Sequence, residues 1–218
     1  MSAGCHSHGH DHGAAAAASP AYRRILWVAL VVNLAMFVVE IGAGVAAQSA
    51  SLLADSLDFL GDAANYGISL FVLGMALHLR ARASLVKAAS MALFGLWVAY
   101  TTIAHALAGT VPEAPIMGVV GALAFAANLG VAFLLFRWRE GDSNMRSVWL
   151  CTRNDAIGNL AVLVAAAGVF GSGTGWPDYI VAAIMSGLAL WSAAQVTRHA
   201  FAELRQARTE APHAVGSL

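Results

Sequence analysis

Three aspartates, Asp55, Asp58 and Asp62, fall inside the segment SLLADSLDFLGDAANY (51–66), which otherwise reads as membrane-spanning. Asp58 and Asp62 are four residues apart, so on a helix they stack one turn apart, with Asp55 on a neighbouring line. Cys151 and Asp155 repeat the four-residue spacing in a second apolar segment. A carboxylate in hydrocarbon costs roughly 2–4 kcal/mol on insertion scales, so three on one helix need a compensating partner, most simply a cation. Two antiparallel helices that each offer two such side chains one turn apart can build a four-ligand cage of the kind a tetrahedral Zn²⁺-like ion takes. Three carboxylates and a thiolate are too soft a set for Mg²⁺ or Ca²⁺ and too oxygen-rich for Cu(I), which leaves Zn²⁺, Cd²⁺ or Co²⁺. The alternatives stay open here. Asp58, Asp62 and Asp155 could hydrogen-bond between helices, Cys151 could be a small buried hydrophobe, and Asp55 reads as an accessory charge nearer the mouth.

The elements that must position these residues are membrane helices. Apolar residues are 59% of the 218 and charged residues 11%. The apolar runs reach the length needed to cross about 30 Å at 1.5 Å per residue. The expected fold is an all-α membrane protein of six transmembrane helices, near 25–47, 51–77, 85–108, 116–136, 148–170 and 179–196. Short connections with Gly and Pro separate several of them, and no soluble domain fits between. Residues 22–204 form this domain, between a disordered His-rich tail (1–21) and a short disordered tail (205–218).

Eleven of the twelve Lys and Arg residues precede span one, lie between spans two and three (Arg80, Arg82, Lys87) or four and five, or follow span six. The positive-inside rule then puts both termini in the cytoplasm, the chain being a multi-pass protein of the cell (inner) membrane. The basic residues read as flanking anchors, so no nucleic-acid partner is implied. The polar leader of more than 20 residues and the length of the first apolar run argue against a cleaved signal peptide. Cys5 and Cys151 are too few and too separated for a disulfide framework.

The tail carries His6, His8, His10 and His12 behind Cys5. Imidazoles at this density chelate divalent metals, which would raise the local metal concentration at the cytoplasmic mouth; the other reading is a solvated tail with incidental histidines.

SASLLADSLDFLGD in span two and NMRSVWLCTRNDAIGN entering span five resemble the cation diffusion facilitator family of divalent-metal transporters. The resemblance covers about residues 22–204, with Glu40 and Asn128 also falling where the family tends to carry polar residues. It implies six transmembrane helices, a homodimer, and export of Zn²⁺, Cd²⁺ or Co²⁺ in exchange for protons, with no prosthetic group and no enzymatic activity. The family's paired ligand motifs land on Asp58 and Asp62, and on Cys151 and Asp155; Asp55 matches the aspartate that commonly precedes the first.

Three departures stand out. Cys151 occupies a position where the family usually has His. Arg153 adds a charge within the motif; at 100° per residue it lies about 200° from Cys151 and Asp155, pointing away from the cage, with Glu40 as its expected partner. Residues 197–218 follow span six where most relatives continue into a cytoplasmic metal-binding domain, so regulation by that domain is expected to be absent. A dimer would then use membrane helices, with Gly42 and Gly44 or Gly118 and Gly121 permitting close approach. A membrane metal sensor and an uncoupled cation channel remain the rival readings.

Overall fold

The computed structural model describes residues 20–71, 77–136 and 143–210, with side chains at all of these except 71, 77, 78, 80, 143–151 and 206–210. Every described element is helical: α1 (Pro20–Ala46), α2 (Ala50–Phe71), α3 (Leu77–Ala108), α4 (Ala114–Phe136), α5 (Ser143–Ser172) and α6 (Trp176–Glu210). In hydrocarbon only a helix or a closed barrel satisfies its own backbone, so apolar runs of this length have little choice. Among the described residues, five of the six helices are long and apolar enough to cross a membrane; α2 falls short because of its aspartates. Their outward faces are apolar, with Phe133 and Phe170 each 79% exposed, as suits a lipid-facing surface.

The helices run further than the apolar stretches. α3 begins at Leu77 and α5 at Ser143, several residues before the expected starts, and α6 continues to Glu210. Hydropathy marks the edge of the bilayer, whereas the hydrogen-bond ladder stops only where the backbone turns.

α2 is the central helix. It packs against α1, α3, α5 and α6, and none of its described residues is exposed. This placement lets a segment with three aspartates persist at membrane depth, since its polar faces meet protein and not lipid. α1 packs on α2, α4 on α5, and α3 on α6. The largest core cluster joins α2, α4, α5 and α6 through Leu53, Leu57, Met117, Val162 and Met185. A second joins α1, α2 and α4 through Leu26, Tyr66 and Leu135.

Close approach of α1 and α2 depends on Gly44, where an added Cβ would lie 2.8 Å from Leu53 Cδ2 and 3.1 Å from the Leu53 backbone nitrogen. Gly121 likewise packs against Val162 and Leu163 on α5. These two glycines are therefore committed inside the bundle, contrary to the dimer faces expected from the sequence; Gly42 and Gly118 have open space before them.

Three turns meet at one end of the bundle. α1 ends with Gln48 in the left-handed region (φ 54°), and Ser49 N bonds back to Gly44 O at 2.9 Å, the pattern of a Schellman stop. Gly109 (φ 65°) and Gly173 (φ 65°) close α3 and α5. Glu113 N donates to Ala47 O at 3.0 Å, and the Tyr179 hydroxyl donates to the carbonyls of His105 and Thr110, so the turns are tied together.

Asp178, in the first turn of α6 and fully buried, completes this rim. Its carboxylate accepts from Ala50 N (2.8 Å), Ser51 N (3.0 Å), Ser49 Oγ (2.7 Å) and Ser51 Oγ (2.6 Å). The first amides of α2 have no partner within their own helix, and a carboxylate from another helix supplies one while complementing the positive helix end. Ser49 adds an ordinary N-cap by accepting from Leu52 N at 3.2 Å.

Candidate functional site

One turn of α2 below this cap, the acidic residues begin. Asp55 is fully buried, and its carboxyl adjoins that of Glu40 on α1, also fully buried. No donor from another residue reaches either side chain. Asp55 is thus sealed within the bundle and not hydrated at a mouth. Glu40 makes no hydrogen bond to Arg153, which is exposed on α5 with its guanidinium donating to Asn154 Oδ1 at 3.2 Å. The expected Glu40–Arg153 pair is not formed, because Glu40 is buried in the bundle while Arg153 is on its exposed surface.

Asp58 and Asp62 follow on the face of α2 turned to α5. Asp58 is partly buried; its Oδ2 points toward Gly158, where an added Cβ would stand 3.8 Å away. Asp62 is 6% exposed and adjoins Asp155 across the helix interface, with Asp58 in electrostatic reach of both. Asp62 and Asp155 thus adjoin between α2 and α5, with Asp58 one turn away on α2.

Cys151 lies on α5, but its side chain is outside the described residues, as are His6, His8, His10 and His12. Among the described residues, no three His, Cys, Asp or Glu side chains converge on a single point as metal ligands would.

Tyr66 and Thr152, beside the carboxylates, were not singled out from the sequence. The Tyr66 hydroxyl donates to Asp62 Oδ2 at 3.1 Å and shares a 2.6 Å hydrogen bond with Thr152 Oγ1, joining α2 to α5 just beyond the carboxylates. Its signal was available, since Tyr66 stands one turn after Asp62. Asn128 and Asn159 bond at 3.2 Å between α4 and α5, bracing the far side of α5.

Lys87 differs most from expectation. It sits within α3, half-buried, and its ammonium donates to Asn65 on α2. From there it acts electrostatically on Asp62 and Asp155. A basic residue counted as a flanking anchor is instead turned inward. The clue was its position within the apolar run ASLVKAASMALF, beyond the Arg80 and Arg82 cluster.

Three carboxylates, a tyrosine hydroxyl and an inward-facing ammonium, enclosed by lipid-facing helices, can bind and exchange cations. A family model for the cation efflux transmembrane domain matches residues 26–205.

Proposed function

The chain belongs to the cation efflux family and is a multi-pass membrane transporter of metal cations, and on that premise we propose that it exports Zn²⁺ or a related ion, Cd²⁺ or Co²⁺, in exchange for protons. All six helices span the membrane in this reading, α2 being shielded from lipid by its neighbours. Both termini face the cytoplasm and the chain forms a homodimer. The carrying observation is Asp62 beside Asp155 across the α2–α5 interface, with Asp58 in electrostatic reach of both.

Asp58, Asp62 and Asp155 serve as ligands, with Cys151, one turn before Asp155 on α5, completing a tetrahedral set. Asp55, beside Glu40, is an accessory charge on the path. His6, His8, His10 and His12 concentrate metal at the cytoplasmic mouth without taking part in translocation.

Coupling follows from competition. A carboxylate or thiolate must be deprotonated to hold the ion, so each metal ion that binds displaces protons and each proton that binds weakens the metal. Tyr66 orients Asp62 through the 3.1 Å hydrogen bond and ties it to Thr152 on the opposite helix. Rocking of α2 against α5 would then present the ligands alternately to the two sides.

The test is ⁶⁵Zn²⁺ flux in proteoliposomes under an imposed pH gradient. Flux should depend on the gradient, and Asp58→Ala, Asp62→Ala and Asp155→Ala should each abolish it. Flux indifferent to these changes would refute the site; flux without proton countermovement would make the protein a channel; and metal binding with no flux would make it a sensor.

A further inference from the structure

Lys87 has no part in the ligand set just described, yet its charge acts on those carboxylates from within the bundle. Its ammonium donates to Asn65, three residues after Asp62 on α2, and its charge acts on both Asp62 and Asp155. A lysine at membrane depth is expensive unless an anion balances it, and two carboxylates brought together are expensive unless a cation balances them. Each need answers the other.

The surroundings give the side chain freedom to move. Beside Lys87, between α2 and α3, lies a cavity of about 380 Å³ lined by Leu60, Ala64, Gly67, Ile68 and Val86. These are apolar, with Ala64 and Gly67 small, and suit the four-carbon stem of a lysine in more than one position. A residue that only pinned α3 to α2 would not need such room.

We propose that Lys87 is a tethered counter-cation of the transport site: its ammonium balances Asp62 and Asp155 between metal ions, and an arriving divalent cation displaces it toward the α2–α3 cavity. The inference rests on the ligand reading of Asp58, Asp62 and Asp155. Lys87 is then a specificity-determining residue that touches no metal. A doubly charged ion outcompetes the ammonium where a singly charged one does not, so Lys87 sets a threshold against Na⁺ and K⁺. The same competition lowers the affinity for the divalent ion enough for it to leave.

The experiment uses the full chain in nanodiscs, with Zn²⁺ as the probe. Lys87→Met should bind Zn²⁺ at least about tenfold more tightly, since one unit charge acting across several ångströms at an effective dielectric near 20 is worth more than a factor of ten. Its Zn²⁺ turnover should fall, and Lys87→Arg, which keeps the charge, should stay closer to wild type in both. In the wild type, saturating Zn²⁺ should raise labelling of Lys87 by an amine-reactive reagent several-fold, and Asp62→Asn should remove that response. Unchanged or weaker Zn²⁺ binding by Lys87→Met overturns the proposal, as does labelling indifferent to Zn²⁺ that binds; the labelling arm decides even if Lys87→Met does not fold. If Asp58→Ala and Asp62→Ala leave Zn²⁺ binding intact, the ligand reading itself falls. If they abolish it while the Lys87 measurements do not move, only the counter-cation is refuted.

Discussion

Replacing Asp178 by alanine should be among the most destabilising single changes in the molecule, although the residue is remote from the carboxylates. Four donors converge on its buried carboxylate: two backbone amides of the first turn of α2 and the hydroxyls of Ser49 and Ser51. The hydroxyls, 3.3 Å apart, can turn toward each other once the carboxylate is gone. The amides of Ala50 and Ser51 are fixed by the helix and have no second acceptor within it. A buried donor left unpaired costs about 1–3 kcal/mol, so the two amides together give about 2–6 kcal/mol for Asp178→Ala. Asp178→Asn keeps the size and one acceptor oxygen, and should lose about half as much. Reversible unfolding in mixed micelles, titrated with SDS and followed by circular dichroism, measures both. A loss below about 1 kcal/mol for Asp178→Ala would mean that water reaches these amides, and the buried cap would then be the wrong description. Asn faring worse than Ala would equally refute the reasoning.

Other substitutions separate packing from chemistry. Gly44→Ala should destabilise by about 1–3 kcal/mol, since its Cβ meets Leu53 at 2.8 Å, while Gly42→Ala, with nothing within 4 Å, should be neutral or slightly stabilising in the same unfolding assay. Tyr66→Phe removes the hydroxyl shared by Asp62 and Thr152, and isothermal titration should show Zn²⁺ affinity lowered about 10–100-fold with the fold intact. Cys151→His should shift the Cd²⁺/Zn²⁺ flux ratio toward Zn²⁺, because imidazole is a harder donor than thiolate; an unchanged ratio would return Cys151 to packing.

The helices and the placing of Asp58 and Asp62 on one face of α2 were legible because both depend on short-range rules: the length of an apolar run, and the one-turn spacing of the two aspartates. The helix starts of α3 and α5 were not, since apolar content tracks lipid and not the backbone ladder. Lys87 was misassigned because counting charges near membrane edges is blind to rotation about the helix axis, which decides whether a side chain meets headgroups or a neighbouring helix. Asp178 was equally hidden. Its partners at Ser49, Ala50 and Ser51 lie more than 120 residues away in the chain, and nothing local distinguishes it from an ordinary first-turn aspartate. The glycines show the same limit, as Gly42 and Gly44 read alike until a neighbour stands against one of them.

The cap on α2 also makes that helix a lever with one end fastened. From Ala50, at about 1.5 Å per residue, Asp58 lies about 12 Å along the arm, Asp62 about 18 Å and Tyr66 about 24 Å. If the helix swings as a rigid rod, each 5° about the fastened end shifts these residues by about 1, 1.6 and 2 Å. Spin labels on α2 and α5 would read this gradient as a distance change that grows from the Asp178 end, and a uniform change would refute the fixed pivot. On such an arm the Tyr66–Thr152 bond breaks first and Asp58 moves least, so one aspartate keeps its hold while the gap beyond Asp62 widens.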